Sequence, residues 1–410
     1  MSAAPPAPGF RFPFYLQVLT AMVLGLVAGP LLGENASAFG DLGKLVIQLI
    51  KAVATPLLFF VIVSSVSKTE IPAKAGARLV GWAAVNSTIA VGIGLLISNL
   101  LKPGTHLSAL ATVEGSTAAY ADKKVDLLAT VSSIVPASLV GPFVDNYLLS
   151  IILIALLFGF ALRRAGHDTG EFKDGVHLLS RFIEGMLGVT QIVMGWVVKL
   201  IPVAVFGVVT KSVGEHGYAP LKGLSAYVAA GLLGLALHVA ITYQAWIVLF
   251  TKRSLREFWR EAREPMVSSL GTNSSLATLP VTLKALERLG VSRQASTLGA
   301  CVGTNFNNDG IILYEGMAVL FVAQASGIDL SLGQQLVASA SCMIAAMGVA
   351  GIPEAGFISL ALVLNTVGLP VELLPLLLTV DWIIARARSV VNVLSDMMLS
   401  LLVDRGVTHE

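Results

Sequence analysis

The chain has 410 residues, of which 55% are hydrophobic and only 13% charged, with a formal net charge of +2. That balance excludes an ordinary soluble enzyme and points to an all-α polytopic membrane protein. There is no basic stripe interleaved with aromatics, so nucleic acid is excluded as a partner.

Apolar runs of membrane-spanning length are readable over residues 14–32, 42–66, 79–101, 148–162, 182–213 and 221–250. Residues 1–12 are rich in Pro and Ala and carry no small-residue cleavage signal, so the first run reads as a retained helix. Gly25 and Gly29 form a small-xxx-small pair suited to close helix contact. Pro56 and Pro202 interrupt two of the runs and are candidate kinks. Residues 102–126 are polar and read as an external loop. Basic residues gather in short loops: Lys68, Lys74 and Arg78, then Arg163 and Arg164, then Lys252, Arg253, Arg256, Arg260 and Arg263. Positive loops stay in the cytoplasm, which puts the N-terminus inside and the first exit near Gly33. Cys301 and Cys342 sit in apolar stretches, with no metal or disulfide pattern.

The second half departs from simple spans. Residues 267–286 contain Ser268-Ser-Leu-Gly-Thr-Asn-Ser-Ser275, and residues 336–364 contain Gly348-Val-Ala-Gly-Ile-Pro-Glu-Ala-Gly356. Such runs cannot continue a lipid-facing helix, because free backbone groups at that depth need a protein or cavity partner. Two interrupted segments in corresponding positions predict a pair of re-entrant hairpins with a binding site between their tips. Two ordinary helices with glycine-rich packing faces are the competing reading. Between them lies Gly303-Thr-Asn-Phe-Asn-Asn-Asp-Gly310 inside another apolar run. Such a helix is expected to unwind there and offer oxygens to a hard cation. An N-cap at a break between two helices is compatible with the same residues.

The last apolar run carries Asp381, Arg388, Asn392 and Asp396. On a helix these four fall within about 80° of one another. Charges on one stripe of a membrane helix face a bundle interior or a water-filled path. That makes the stripe a candidate site for an ion and a charged solute, with a structural ion-pair network as the alternative. Arg386 lies about 140° around the helix from Asp381, away from the stripe's centre.

At these motifs the chain resembles the glutamate transporter family, the dicarboxylate/amino acid:cation symporters. Asn307-Asn-Asp-Gly310 with Leu313-Tyr-Glu315 is similar to that family's Asn-Met-Asp-Gly-Thr-Ala-Leu-Tyr motif. Asn273-Ser-Ser-Leu-Ala-Thr-Leu-Pro280 resembles its first hairpin tip, Gly351-Ile-Pro-Glu-Ala-Gly356 its second, and Arg388-Ser-Val-Val-Asn392 through Asp396 its final helix. The resemblance implies eight transmembrane helices plus two re-entrant hairpins with inverted repeats. It implies a homotrimer in the cell membrane and an elevator motion of a mobile part against a scaffold. Residues 1–70 and 123–215 would form the scaffold, and residues 71–122 and 216–410 the transport part.

Carried over residue by residue, the resemblance implies one sodium site from Gly303, Asn307, Asn392 and Asp396. A deeper site would use Asp309 with Asn86 and Ser87, but the family's Tyr and Thr are Ala83 and Asn86 here. The implied substrate site takes in Ser274, Ser275, Ile311, Gly351, Ala385, Arg388, Ser389 and Asn392. Arg388 matches the arginine that binds a substrate carboxylate, which suits a planar guanidinium. The carboxylate that would hold a substrate ammonium is replaced by Ala385, and the family Thr by Ile311. An ammonium buried without its anion is costly, so a C4 dicarboxylate is favoured over an acidic amino acid. Glu354 is a competing partner for an ammonium. Glu315 matches a proton-carrying Glu of the animal carriers, so H+ is a candidate coupling ion besides Na+. Arg386 together with Asn273 matches a known exchange of arginine between the final helix and the first tip.

A secondary-active symporter is therefore the expected class. An anion-conducting channel is the second, and a membrane enzyme the last. The chain lacks a Gly-x-x-x-x-Gly-Lys-Ser/Thr loop. His106, His167, His177, His216, His238 and His409 are scattered, mostly in loops, with no nucleophile–base pairing in view.

Overall fold

The computed structural model describes residues 14–68, 73–110, 135–145, 147–166, 173–251, 253–305, 307–347 and 355–405. No strand occurs among them. The first half is built from α1 (Phe14–Leu32), α2 (Gly40–Lys68), α3 (Ala73–Leu101), α4 (Leu148–Gly166), α5 (Lys173–Val198) and α6 (Ile201–His216). Then follow α7 (Ala219–Leu237), a π-turn over His238–Tyr243, and α8 (Gln244–Phe250). Pro202 stands at the start of α6, where its missing N–H costs nothing, and the run expected over 182–213 breaks there into α5 and α6. Pro56, by contrast, lies inside an uninterrupted α2.

By length and composition, Asn35–Lys68, Ala75–Leu101, Asp174–Glu215 and Gly223–Phe250 can each cross a membrane. Large apolar side chains on outer faces, such as Leu31, Leu100 and Leu178, are exposed. That is the arrangement of a multi-pass membrane protein, whose outside is solvated by lipid. The small-residue pair holds α1 to α6: a Cβ on Gly29 would fall 2.8 Å from the Thr210 carbonyl and 2.9 Å from the Gly214 nitrogen. Around this pair α2 packs against α4, α5 and α6, while α3 packs against the second half.

The second half repeats one order, hairpin then helix. The first hairpin is α9 (Leu255–Thr272) and α10 (Ser275–Arg288). A broken helix follows: α11 (Arg293–Ser296), a π-turn over Thr297–Val302, a 3-10 turn over Gly303–Asn305, and α12 (Asp309–Ala325). The second hairpin is α13 (Leu332–Met347) and α14 (Ala355–Thr366), and the last helix is α15 (Leu374–Asp404). A hairpin returns the chain to the face it left, and α11–α12 carries it across. The order hairpin, broken helix, hairpin, helix is the one that an inverted repeat requires.

The first tip is narrower than expected. Ser268–Thr272 stay helical, and the break consists of Asn273 and Ser274. Asn273 is left-handed at φ 52°, a backbone its short polar side chain tolerates, and it ends α9. Ser274 then caps α10, its hydroxyl accepting the Ala277 N–H at 3.2 Å. At the open end, Arg288 binds Glu261 and Glu264 and fastens the two arms together. The second tip, with Gly351 and Glu354, lies outside the described residues.

Candidate functional site

The stripe on α15 faces inward. Asp381 is 2% exposed, Arg388 5%, Asn392 5% and Asp396 2%. Arg388 donates from Nη2 to Asp381 Oδ2 at 2.9 Å, seven residues earlier on the same helix. Its guanidinium carbon lies 4.0 Å from the centre of the Tyr314 ring, a cation–π stack contributed by α12. The second hairpin closes on the same group: a Cβ on Gly356 would fall 2.5 Å from Arg388 Nη1. Arg388 is thus held between α12, α14 and Asp381 at a depth where a lone cation would be expensive.

The first tip meets α15 through Ser389, whose hydroxyl donates to Asn273 Oδ1 at 2.9 Å. Beside that bond is a cavity of about 280 Å³ lined by Phe14, Val18, Ile201, Gly271–Asn273, Leu378, Asp381, Trp382, Ala385 and Arg386. Ala385 brings only a methyl group to this wall. Arg386 reaches back to the Trp382 carbonyl at 2.9 Å and lies along the cavity's edge. Asp381 Oδ1 has no hydrogen-bond partner among the described residues. Ser274 is committed to its helix cap, and Ser275 Oγ lies 3.3 Å from Thr304 Oγ1. Ile311 sits elsewhere, in a small apolar cluster with Val91, Ile312 and Ala346, next to α13. The implied substrate residues therefore fall into two groups, one at the cavity and one against the second hairpin.

The unwinding expected at Gly303–Gly310 is present. The Gly303 carbonyl accepts the Asn307 N–H at 2.8 Å, and α12 starts at Asp309. Asn392 Oδ1 accepts the Gly310 N–H at 2.9 Å, and Asn308 Nδ2 donates to the Ala346 carbonyl at 2.9 Å. These bonds tie α15 to the restart of α12 and α12 to the second hairpin. Asn307 Oδ1 and Asp396 Oδ1 are buried with no hydrogen-bond partner among the described residues. Two acceptor oxygens left dry and unsatisfied fit a hard cation far better than they fit an empty interior. Glu315 is fully buried and accepts a hydrogen bond from Ser359 of the second hairpin.

Asp309 stands in a separate network. Ser87 Oγ donates to Oδ1 at 3.3 Å; Tyr243 and Ser395 hydroxyls donate to Oδ2 at 3.2 and 2.5 Å. His238 Nε2 lies 3.4 Å from the same Oδ2, and Thr242 Oγ1 lies 3.1 Å from His238 Nδ1. Asn86 bonds Trp246 and Ser395. The structure brings Asn86, Ser87 and Asp309 together, and it also ties Asn307, which the sequence reading assigned to the other site, to this network through Ser395. His238, Tyr243, Trp246 and Ser395 were not anticipated, and His238 is no loop residue but lies at 0% exposure in the membrane interior. The signal available was a His, a Thr and a Tyr within six residues of an otherwise apolar run.

The sodium:dicarboxylate symporter family matches residues 14–406. A "C4-dicarboxylate transport protein" of Deinococcus radiodurans is 32% identical over 400 residues, covering 96% of this chain and 88% of that protein. One of Laribacter hongkongensis is 32% identical over 398 residues, covering 95% of this chain and 88% of that protein.

Proposed function

Because the chain belongs to the sodium:dicarboxylate symporter family, we propose that it is a sodium-coupled carrier of small carboxylates, with C4 dicarboxylates as its preferred solutes. The observation that carries this reading is the pairing of a buried guanidinium with an apolar neighbour. Arg388 offers a planar fork to a carboxylate, whereas Ala385 offers nothing to an ammonium. The names of the relatives from Deinococcus and Laribacter support the same solute class. Asn307 Oδ1 and Asp396 Oδ1, with the Asn392 amide and the Gly303 carbonyl, are the oxygens that would hold the coupling sodium. Glu315 is the candidate carrier of a coupled proton.

In this reading the chain sits in the cell membrane with its N-terminus in the cytoplasm and works as a homotrimer. α1, α2, α4, α5 and α6 form the static scaffold. α3 and residues 216–410 carry solute and ion across together in an elevator motion, with the second hairpin as the gate. The packing of α2 on α4, α5 and α6, and of α3 on α12, supports that division.

A second reading, transport of an acidic amino acid, draws on Asp381. Asp381 lines the cavity, and its Oδ1 has no hydrogen-bond partner among the described residues, which leaves it an acceptor for an ammonium. Thermal stabilisation of the purified protein across a solute panel, with and without sodium, separates the two. Sodium-dependent stabilisation by succinate, fumarate or malate above that by aspartate is expected. The opposite ranking would favour the amino acid.

A further inference from the structure

We infer that the Asp309 pocket takes no sodium: its oxygens are already consumed by donors from the protein, and it is a fixed polar latch between α3, the π-turn, α12 and α15. The inference rests on the sodium-coupled reading above and concerns how many side-chain ion sites the chain possesses.

The directions of the hydrogen bonds around Asn86 and Ser395 can be worked out. An indole N–H only donates, so Trp246 Nε1 must meet the oxygen of Asn86, which turns the Asn86 amide nitrogen toward Ser395 Oγ at 3.3 Å. Asn307 Nδ2 also donates to Ser395 Oγ. With two N–H groups on its lone pairs, that hydroxyl spends its proton on Asp309 Oδ2. Oδ2 is also within reach of the Tyr243 hydroxyl, whose one proton it shares with the Val391 carbonyl, each at 3.2 Å, and Oδ1 accepts from Ser87. His238 Nε2 faces Oδ2 at 3.4 Å, and its Nδ1 lies 3.1 Å from Thr242 Oγ1.

A hard cation is held by converging oxygen lone pairs. Here an imidazole nitrogen and the hydroxyls of Ser87, Tyr243 and Ser395 converge on the carboxylate, and Asn86 and Asn307 present amide hydrogens to Ser395 beside it. Asn86, Ser87, His238, Tyr243, Asn307, Asp309 and Ser395 are all at 0% exposure, so a donor that turned away would leave its acceptor buried and unpaired. The π-turn supplies this filling. Its wider turn places His238 and Tyr243, five residues apart, on the one carboxylate. The contrast lies with Asp396 Oδ1, which is buried and unsatisfied.

The test is the sodium concentration that half-saturates thermal stabilisation of the purified full chain, with sodium chloride titrated against choline chloride. Asp396→Asn is expected to raise it at least tenfold. Ser87→Ala and Asp309→Asn are expected to lower the melting temperature at every sodium concentration while keeping half-saturation within twofold of the parent. A shift in Ser87→Ala comparable to that in Asp396→Asn would overturn the inference and make the deep pocket a sodium site. If Asp396→Asn itself leaves the response unchanged, sodium coupling through that site fails instead. Should Asp309→Asn not fold, Ser87→Ala, which removes one hydroxyl, still decides.

Discussion

Arg388 and Asp381 form an ion pair within one helix, Nη2 to Oδ2 at 2.9 Å, with side chains only 6% and 3% exposed. The pair joins two places: Asp381 lines the cavity beside the first tip, and Arg388 lies under the second hairpin. A bound carboxylate would have to share the guanidinium with Asp381 or displace it. The pair neutralises the buried Arg388.

Arg388→Lys keeps the charge but loses the fork. The affinity for a dicarboxylate should fall by about 1.5–3 kcal/mol, the scale of a hydrogen bond to a charged group. Solute titrations followed by thermal stabilisation read this directly. Undiminished binding in Arg388→Ala would place the carboxylate elsewhere.

Asp381→Asn leaves the guanidinium without its anion, a loss on the order of 3–5 kcal/mol when one member of a buried pair is removed. A carboxylate solute can replace the missing charge. The variant should melt well below the parent without solute and recover most of the difference at saturating succinate. Equal stabilisation of parent and variant would mean that the solute does not reach Arg388.

Ala385→Asp restores an anion to the cavity wall. Competition against labelled succinate should then show aspartate gaining relative to the dicarboxylates, since a buried ammonium regains a partner. A ranking identical to the parent would sink the explanation from Ala385.

Glu315→Gln should flatten the pH dependence of uptake. Ser359, on the second hairpin, donates to Glu315 on α12, so a proton arriving there is felt by the candidate gate. With proton coupling, uptake by the parent rises as external pH falls, while the Gln variant, which cannot ionise, stays level. Superimposable profiles would leave Glu315 a structural residue.

Much of this arrangement was legible in the sequence because membrane physics makes polar residues conspicuous. The stripe from Asp381 to Asp396 could be read from helical spacing alone, and the two hairpins from runs that no lipid-facing helix tolerates. The exact first tip was not legible, since Ser268–Thr272 can stay helical once Asn273 and Ser274 supply the caps. Nor was the latch around Asp309. Its partners lie 71, 86 and 222 residues away, at His238, Ser395 and Ser87. A single His in an apolar run gives no hint of which helix it will face, and only packing fixes that.

The most direct test of the central claim is uptake of labelled succinate into liposomes holding the purified protein, with sodium high outside and absent inside. The expected result is accumulation above the external concentration, collapsing when a sodium ionophore removes the gradient. Uptake that is indifferent to the gradient, or displaced better by aspartate than by fumarate or malate, would contradict it.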